Sequence, residues 1–433
     1  MAVLTPRGKP FYGWTVVSVL GVFGAVGVGL AGPNFALFIV PVSEELGWKS
    51  STFGWAFFLR FLMVLAAGPL IGRLIDLRGP RLPVVGALLV AGGAVLWLSR
   101  IAAAWELMAA FMLIGLVGMG RANDLQAGAS IAKWFVRRRG LAMGIALGGT
   151  PLGVAVYYPL TQLLIDNAGW RGALVWLAVS GIAVAVPLSL LLRRQPEDVG
   201  LLPDGDAPSS GASSGASGAP LRAAPSEERS LTRREAMRTG RFWLMLGGFT
   251  AMTYGVSTLA IFRVPHFVER GLDPGLVAIA ISVDAVIAVV ASVLLGRVLD
   301  RAPVRTVLLG GIAIGALCAV GLLVAGSVFW LFAANIFYAL GFQSTHVAQS
   351  VMWANQFGRR HQGDLRGFTI PVTVGVGAVA FPVTGYLRDA ADTYTPAWFV
   401  AIGALAVAGV LLMAVRPVHP HPPLRGGLSP GER

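Results

Sequence analysis

The sequence predicts an all-α polytopic membrane protein, with twelve transmembrane helices in two six-helix bundles. Three observations carry the prediction. Of 433 residues, 55% are hydrophobic and 13% charged, and mean hydropathy is +0.72. A soluble domain commonly has about 25% charged residues with which to cover its surface. The apolar runs are ~20 residues long, enough to cross a ~30 Å hydrocarbon core at ~1.5 Å per residue, whereas spanning β-strands are about half that length and alternate. Lastly, the basic turn Gly72-Arg73-Leu74-Ile75-Asp76-Leu77-Arg78-Gly79-Pro80-Arg81 recurs approximately at Gly296–Arg305. Asp76 and Asp300 lie 224 positions apart, slightly more than half the chain, which points to two related halves.

Segment one covers Trp14–Val40 and opens after Phe11-Tyr12-Gly13-Trp14, aromatics suited to the headgroup boundary. Segments two, three and four follow at Ser51–Leu74, Leu82–Leu98 and Trp105–Ala132. The basic run Lys133–Arg139 precedes segment five, Leu141–Ile165, and Gly169-Trp170-Arg171 introduces segment six, Arg171–Leu192. Residues 194–240 change character: Ser209–Pro220 is a Ser/Gly/Ala tract and Glu227–Arg241 is densely charged. Such a stretch cannot bury enough apolar surface to fold alone and reads as a flexible linker, with a short surface helix expected within Ser230–Thr239. Six further segments are Phe242–Pro265, Leu276–Leu299, Thr306–Gly326, Phe329–Gln356, Phe368–Leu387 and Ala397–Val415. The chain thus divides into an N-terminal bundle (1–193), a linker (194–240), a C-terminal bundle (241–416) and a Pro/His/Arg-rich tail (417–433).

The net charge of +13 resides in loop arginines, with no basic domain apart from the spans, so nucleic acid is not an expected partner. The single cysteine, Cys318, excludes an intrachain disulfide or a cysteine-based metal site. His419 and His421 lack a third ligand, so no metal or cofactor is expected. The first apolar run has no small-residue cleavage signal after it and reads as a retained span. Loops 2–3, 4–5, 8–9 and 10–11 hold 13 Lys/Arg, and the opposite side holds five, namely Lys49, Arg100, Arg171, Arg270 and Arg388. The positive-inside rule therefore puts both termini and the linker in the cytoplasm of a plasma or inner membrane.

The repeat extends further. Arg139-Gly140 and Arg366-Gly367 open segments five and eleven, Pro159 and Pro382 sit late in them, and Trp170 and Trp398 follow. Gly72-x-x-x-Asp76-x-Arg78-Gly79-x-Arg81 resembles the signature between spans two and three of the major facilitator superfamily, departing at Leu77, where a basic residue is common. Phe11–Val17, Trp134–Gly144 and Gly169-Trp170-Arg171 resemble its monocarboxylate and oxalate/formate branch. The resemblance implies secondary transport by two rocking halves. It also implies a cytoplasmic latch in which Asp76, with Arg78 and Arg81, meets the other half, and Asp300 and Arg301 form a weaker copy. Carboxylate-transporting members of that branch usually carry an arginine within span eight that pairs with the substrate anion. Span eight here, Ile281–Ser292, has none before Arg297 at its cytoplasmic end.

Charges at membrane depth are costly and are functional candidates. Arg121 and Asp124, three apart on segment four, share a face, either as a self-satisfied pair or as a substrate arginine oriented by its acid. Asp284 has no basic residue within one turn: a residue on another helix pairs with it, or it carries a proton. Arg60 reads as the partner of an acid elsewhere ahead of a substrate contact, and Arg263 and His266 fall nearer the outer end of segment seven. His346 shares a stripe with Tyr338, Phe342, Gln343 and Ser350, and reads either as a packing residue or as a cavity-lining one of a type whose ordinary pKa is near neutrality. Tyr157 and Tyr158 offer one hydroxyl to the path. Gly140, Gly144 and Gly148, with Gly149 and Gly153, follow no strand and end in no Gly-Lys-Ser/Thr, so they read as helix packing.

The function expected is transport of a small organic anion, monocarboxylate-like and proton-coupled, by a monomer without covalent chemistry. Arg121, Asp124, Tyr157, Gln343 and His346 are the candidate substrate contacts, and Asp284 and His346 the proton carriers. The alternative is proton-driven export of hydrophobic or cationic solutes, with Asp124 and Asp284 as recognition charges.

Overall fold

The structure, a computed structural model, describes residues 11–78, 81–116, 131, 134–135, 142, 144–146, 148–193, 196, 231–299, 302–324, 326–358 and 362–415. Residues 68–78 and 81–84 are described by backbone alone. Every regular element among the described residues is helical. Nine stretches there are long and apolar enough to cross a membrane, and two shorter apolar helices, Val85–Leu98 and Ala104–Leu116, fall at segments three and four. One of the nine, Gly144–Ser189, contains both segment five and segment six, so each of the twelve predicted segments has a helix.

Segment one is not one straight helix. Helix α1 (Tyr12–Ala31) stops at Gly32, whose extended backbone is followed by Pro33, and a 3-10 turn (Pro33–Phe38) leads into α2 (Ile39–Leu46). Proline tolerates the residue before it in extended but not helical backbone, which places the break. Helices α3 (Ser50–Arg78), α4 (Arg81–Leu98) and α5 (Ala104–Leu116) follow. Helix α6 (Gly149–Ser189) has two arms that meet at Gly169, where φ is 67° and ψ 169°. Only glycine adopts that backbone without strain, and it divides segments five and six.

The short helix α7 (Arg233–Met237) precedes α8 (Gly240–Glu269). Then come α9 (Pro274–Leu299), α10 (Val304–Leu323) and α11 (Val328–Phe357). Segment eleven is two helices, α12 (Gln362–Ala378) and α13 (Ala380–Ala391), and α14 (Thr395–Ala414) is last.

Within the first half, α1 and α4 pack on α6, and α3 on α5. Gly149 and Gly153 bring the α6 backbone against Gly21 and Ala25 of α1, so close that a Cβ at either glycine would strike main chain. Small residues allow this approach where no hydrophobic force drives helices together in lipid. In the second half α8 packs on α14 and α12, and α11 on α10 and α9. Among the described residues the halves meet along α9 against α6 and along α3 against α12 and α13, and α8 also touches the 3-10 turn and α2.

The end carrying α2 is knitted within and between the halves. Glu45 accepts from Trp170 Nε1 at 2.6 Å and from Arg171 at 2.9 Å, and Arg171 Nη1 reaches the carbonyls of Ser99 and Ile101 at 3.2 Å. Gly169-Trp170-Arg171 thereby ties together three loops of the first half. Arg388 pairs with Glu269 at 3.0 Å, joining α13 to the end of α8.

Candidate functional site

The site builds from a charge that the sequence left without a local partner. Asp284, on the apolar helix α9, meets Arg263 of α8, and its Oδ2 accepts from Arg263 Nη2. The side chains are 5% (Arg263) and 8% (Asp284) exposed, so this pair is buried. Two ions out of water persist only when each neutralises the other, because either alone would carry several kcal/mol of desolvation cost. The 21-residue separation hides the pair from helical periodicity. It exists because the α8–α9 turn folds the two helices back together.

The guanidinium is only partly satisfied. Nε and Nη1 of Arg263 are buried and have no hydrogen-bond partner among the described residues. Its central carbon lies over the ring of Tyr338 on α11, 3.6 Å from the centroid, a desolvated cation–π contact. Tyr338, Phe342 and His346 then form a ladder at four-residue spacing. Their ring centroids are 5.8 and 5.7 Å apart, and the interplanar angles are 10° and 24°. Tyr158 of α6 is fully buried and lies within the field of both charges, as does Cys318 of α10. Residues of both halves therefore surround one cation.

Geometry decides what that cation can hold. A guanidinium offers a carboxylate two parallel-donor forks, Nε with Nη2 and Nη1 with Nη2. Asp284 sits on Nη2, the nitrogen common to both forks. While the pair stands, Asp284 takes one of the two Nη2–H donors and balances the guanidinium charge. Its release leaves all three nitrogens and the positive charge open to another carboxylate.

The other candidates fall at distinct places. Arg121, Asp124, Asp300 and Arg301 lie outside the described residues. The backbone puts Asp76 and Arg78 in the last turn of α3 and Arg81 at the start of α4. The ring of Tyr157 packs on Gly29 of α1, whereas Tyr158 is the tyrosine next to the ion pair. His346 is exposed on the ladder stripe, and Gln343 is half-buried one residue from Phe342. Arg60, expected to meet an acid, donates instead to the carbonyl of Ala31, the last residue of α1, where a helix C-terminus favours a cation. His266 is buried, with Nε2 2.9 Å from the carbonyl oxygen of Leu322 and the ring edge-on to Trp398.

At the α2 end, Asp389 of α13 accepts from the backbone amides of Ser50 and Ser51, each at 2.9 Å, and so caps α3 from the other half. Ser50 Oγ and Tyr394 Oη are 3.3 Å apart beside it. Burial pushes the Tyr394 phenol above its ordinary range, so the hydroxyl keeps its proton. The rings of Phe57 and Phe61 on α3 meet Phe381 of α13 below.

Comparison with known proteins fits this arrangement of two halves. The Major Facilitator Superfamily is matched over residues 17–370 and again over 264–430. The chain belongs to the major facilitator superfamily. Members are transporters, so this is a multi-pass membrane protein that moves a small molecule by secondary transport, and not an enzyme. It is similar to monocarboxylate transporter 12-B of Danio rerio, 26% identical over 80% of this chain and 75% of that protein. It is also similar to human monocarboxylate transporter 11, 28% identical over 93% and 83%, and human monocarboxylate transporter 2, 23% over 94% and 86%.

Among solved structures, the nucleoside transporter NupG matches with a TM-score of 0.72 at 12% identity, over 92% of this chain and 98% of that one. An inward-facing, occupied bacterial homologue of the human lysosomal transporter Spinster matches with a TM-score of 0.69 at 14% identity, over 94% and 97%. At such identities these structures speak for the superfamily fold alone.

Proposed function

We propose that this transporter carries a small monocarboxylate-like anion together with a proton, and that Arg263 and Asp284 form its exchange centre. The supporting observation is the buried guanidinium whose Nη2 is held by a carboxylate while the two other nitrogens have no acceptor among the described residues. The branch resemblance and the monocarboxylate transporters among the relatives support the substrate class. In this reading Arg263, on span seven, takes the place of the arginine missing from span eight.

Protonation of Asp284 removes its charge and frees Nη2. A substrate carboxylate then docks on the guanidinium, so the protein remains neutral at this point with either occupant. Loss of substrate and proton restores the pair. One proton travels per anion because the two carboxylates compete for one buried positive charge. Tyr338 holds the guanidinium plane, and Gln343 and His346 flank the approach along α11. Arg121 and Asp124 are offered as further substrate contacts.

Residues 1–193 and 241–416 rock about the centre, joined by the linker 194–240, with the α2 end outside and both termini cytoplasmic, as the basic-residue count supports. Asp76, Arg78, Arg81, Asp300 and Arg301 latch the cytoplasmic side in the opposite state.

The test is uptake into proteoliposomes, using a panel of labelled short monocarboxylates and one lipophilic cation under an imposed proton gradient. Monocarboxylate uptake rises with an inward gradient. Arg263→Lys, which keeps the charge but loses the fork, falls at least about tenfold. Gradient-driven uptake of the cation alone, or full activity in Arg263→Lys, would refute the assignment.

A further inference from the structure

A groove of about 460 Å³ runs along the outside of the second half, and nothing in the transport cycle uses it. Trp243, Gly247, Ala251 and Tyr254 line it from one face of α8, with Val376 of α12 and Val407 of α14 closing its sides. Trp243, Val376 and Val407 are exposed on apolar helices, so the groove faces the bilayer. From Trp243 to Tyr254 it extends ~16 Å at ~1.5 Å per residue, about the ~15 Å hydrocarbon depth of one leaflet. That shape fits an acyl chain.

The Trp243 end of the groove meets helix α7. Trp243 Nε1 donates to the carbonyl of Met237 at 2.9 Å, which fixes the end of α7 beside the groove. Helix α7 is itself anchored. Thr232 and Glu235 form a reciprocal cap, Arg233 pairs with Asp364 at 3.1 Å, and the amide of Leu231 donates to Phe357 at 3.0 Å. Arg234 and Arg238, four apart and both exposed, are thus held on one side of a docked helix and not on a loose tether.

We infer that this is a binding site for an anionic phospholipid of the leaflet at the α7 end. One acyl chain fills the groove, and the phosphate lies against Arg234 and Arg238. Two positive charges at the membrane surface select an anionic headgroup over a zwitterionic one, and the length-matched apolar channel holds the lipid at one place on the protein. Part of the polar segment between the halves is thereby tied to lipid composition, independently of what substrate the centre carries.

Native mass spectrometry of the full-length protein in detergent, with equal amounts of dioleoylphosphatidylglycerol and dioleoylphosphatidylcholine, tests the site. The unaltered protein retains the glycerol lipid over the choline lipid by roughly tenfold or more. The double variant Arg234→Ala/Arg238→Ala retains the two equally. Val407→Trp, which fills the groove from an exposed position, retains less of both. Unaltered melting temperatures in lipid-free detergent show that the variants are folded. Equal retention of both lipids by the unaltered protein overturns the inference, as does an undiminished preference in the double variant. Retention unaffected by Val407→Trp overturns it too, since the lipid would then lie elsewhere.

Discussion

Asp389 caps the helix that begins at Ser50, although the two residues belong to opposite halves and lie 339 positions apart. Its two oxygens take the Ser50 and Ser51 amides separately, so the other half caps the first turn of α3 only while the two helices stay together at the α2 end. A carboxylate is also favoured there by the helix dipole. Opening this end breaks both bonds, which makes Asp389 a holding point of the closed state.

Asp389→Asn therefore shifts the equilibrium toward opening at the α2 end. Asparagine offers one acceptor and turns an N–H toward the second amide, a loss of about 1–2 kcal/mol, or roughly tenfold in population. Spin labels at the exposed Lys49 and Asp392 report the change as growth of a longer-distance population. An unchanged distance distribution would remove Asp389 from the gate.

Gly54→Val acts on the same seam by sterics. A Cβ at Gly54 of α3 collides with the carbonyl of Phe381 on α13, which is main chain and cannot rotate aside. The variant is predicted to open the α2 end more fully than Asp389→Asn and to stall uptake, with the protein folded and monodisperse. Uptake at the unaltered rate would mean that the helices separate there without consequence.

What the sequence made legible follows from how lipid constrains a chain. Segment positions, the duplicated basic turn and the clasp motif Gly169-Trp170-Arg171 are local patterns, and the helices lie where those patterns predict. The breaks at Gly32 and Val379 were less visible, because a span of constant apolarity conceals a change of backbone inside it. Asp284 stood out as a buried charge, but its partner did not. Arg263 falls nearer the outer end of segment seven, a position that does not reveal which way its side chain points. Tyr338 appeared as part of a stripe and gave no sign that it backs a cation. Pairings between helices depend on their rotation and tilt, and no periodicity in one helix encodes those.

Asp284→Asn is expected to separate proton from substrate. In the unaltered protein, carboxylate binding strengthens as pH falls, because protonation of Asp284 frees Nη2. With one proton per anion, the apparent affinity changes about tenfold per pH unit while the carboxylate is ionised in the free protein. Asparagine is permanently neutral, so binding becomes independent of pH and exchange of substrate persists without gradient-driven accumulation. Isothermal titration at several pH values, with counterflow in proteoliposomes, checks both. A retained pH slope would assign the proton to another group.

Tyr338→Ala and Tyr338→Phe distinguish the ring from the hydroxyl. The guanidinium carbon lies over the ring, so alanine loses a desolvated cation–π contact of about 2 kcal/mol, whereas phenylalanine keeps most of it. Alanine is predicted to lower the melting temperature and raise KM for the substrate anion. Phenylalanine changes both little. Equal defects in the two variants would shift the weight to the hydroxyl.

Arg263→Ala tests whether the pair is structural, functional or both. Removing the arginine leaves Asp284 buried without a counter-charge, a destabilisation of about 3–5 kcal/mol. Neutralising the orphan in Arg263→Ala/Asp284→Asn removes that cost, so the double variant is predicted to melt well above the single one. Transport distinguishes the roles. A pair that only held α8 to α9 would regain uptake together with stability. An exchange centre would regain stability alone, because the double variant has no fork for the anion and no carboxylate for the proton. Melting temperature and uptake measured on the unaltered protein, the two single variants Arg263→Ala and Asp284→Asn, and the double variant therefore give different patterns for the two roles, and the predicted one is a stable, inactive double variant.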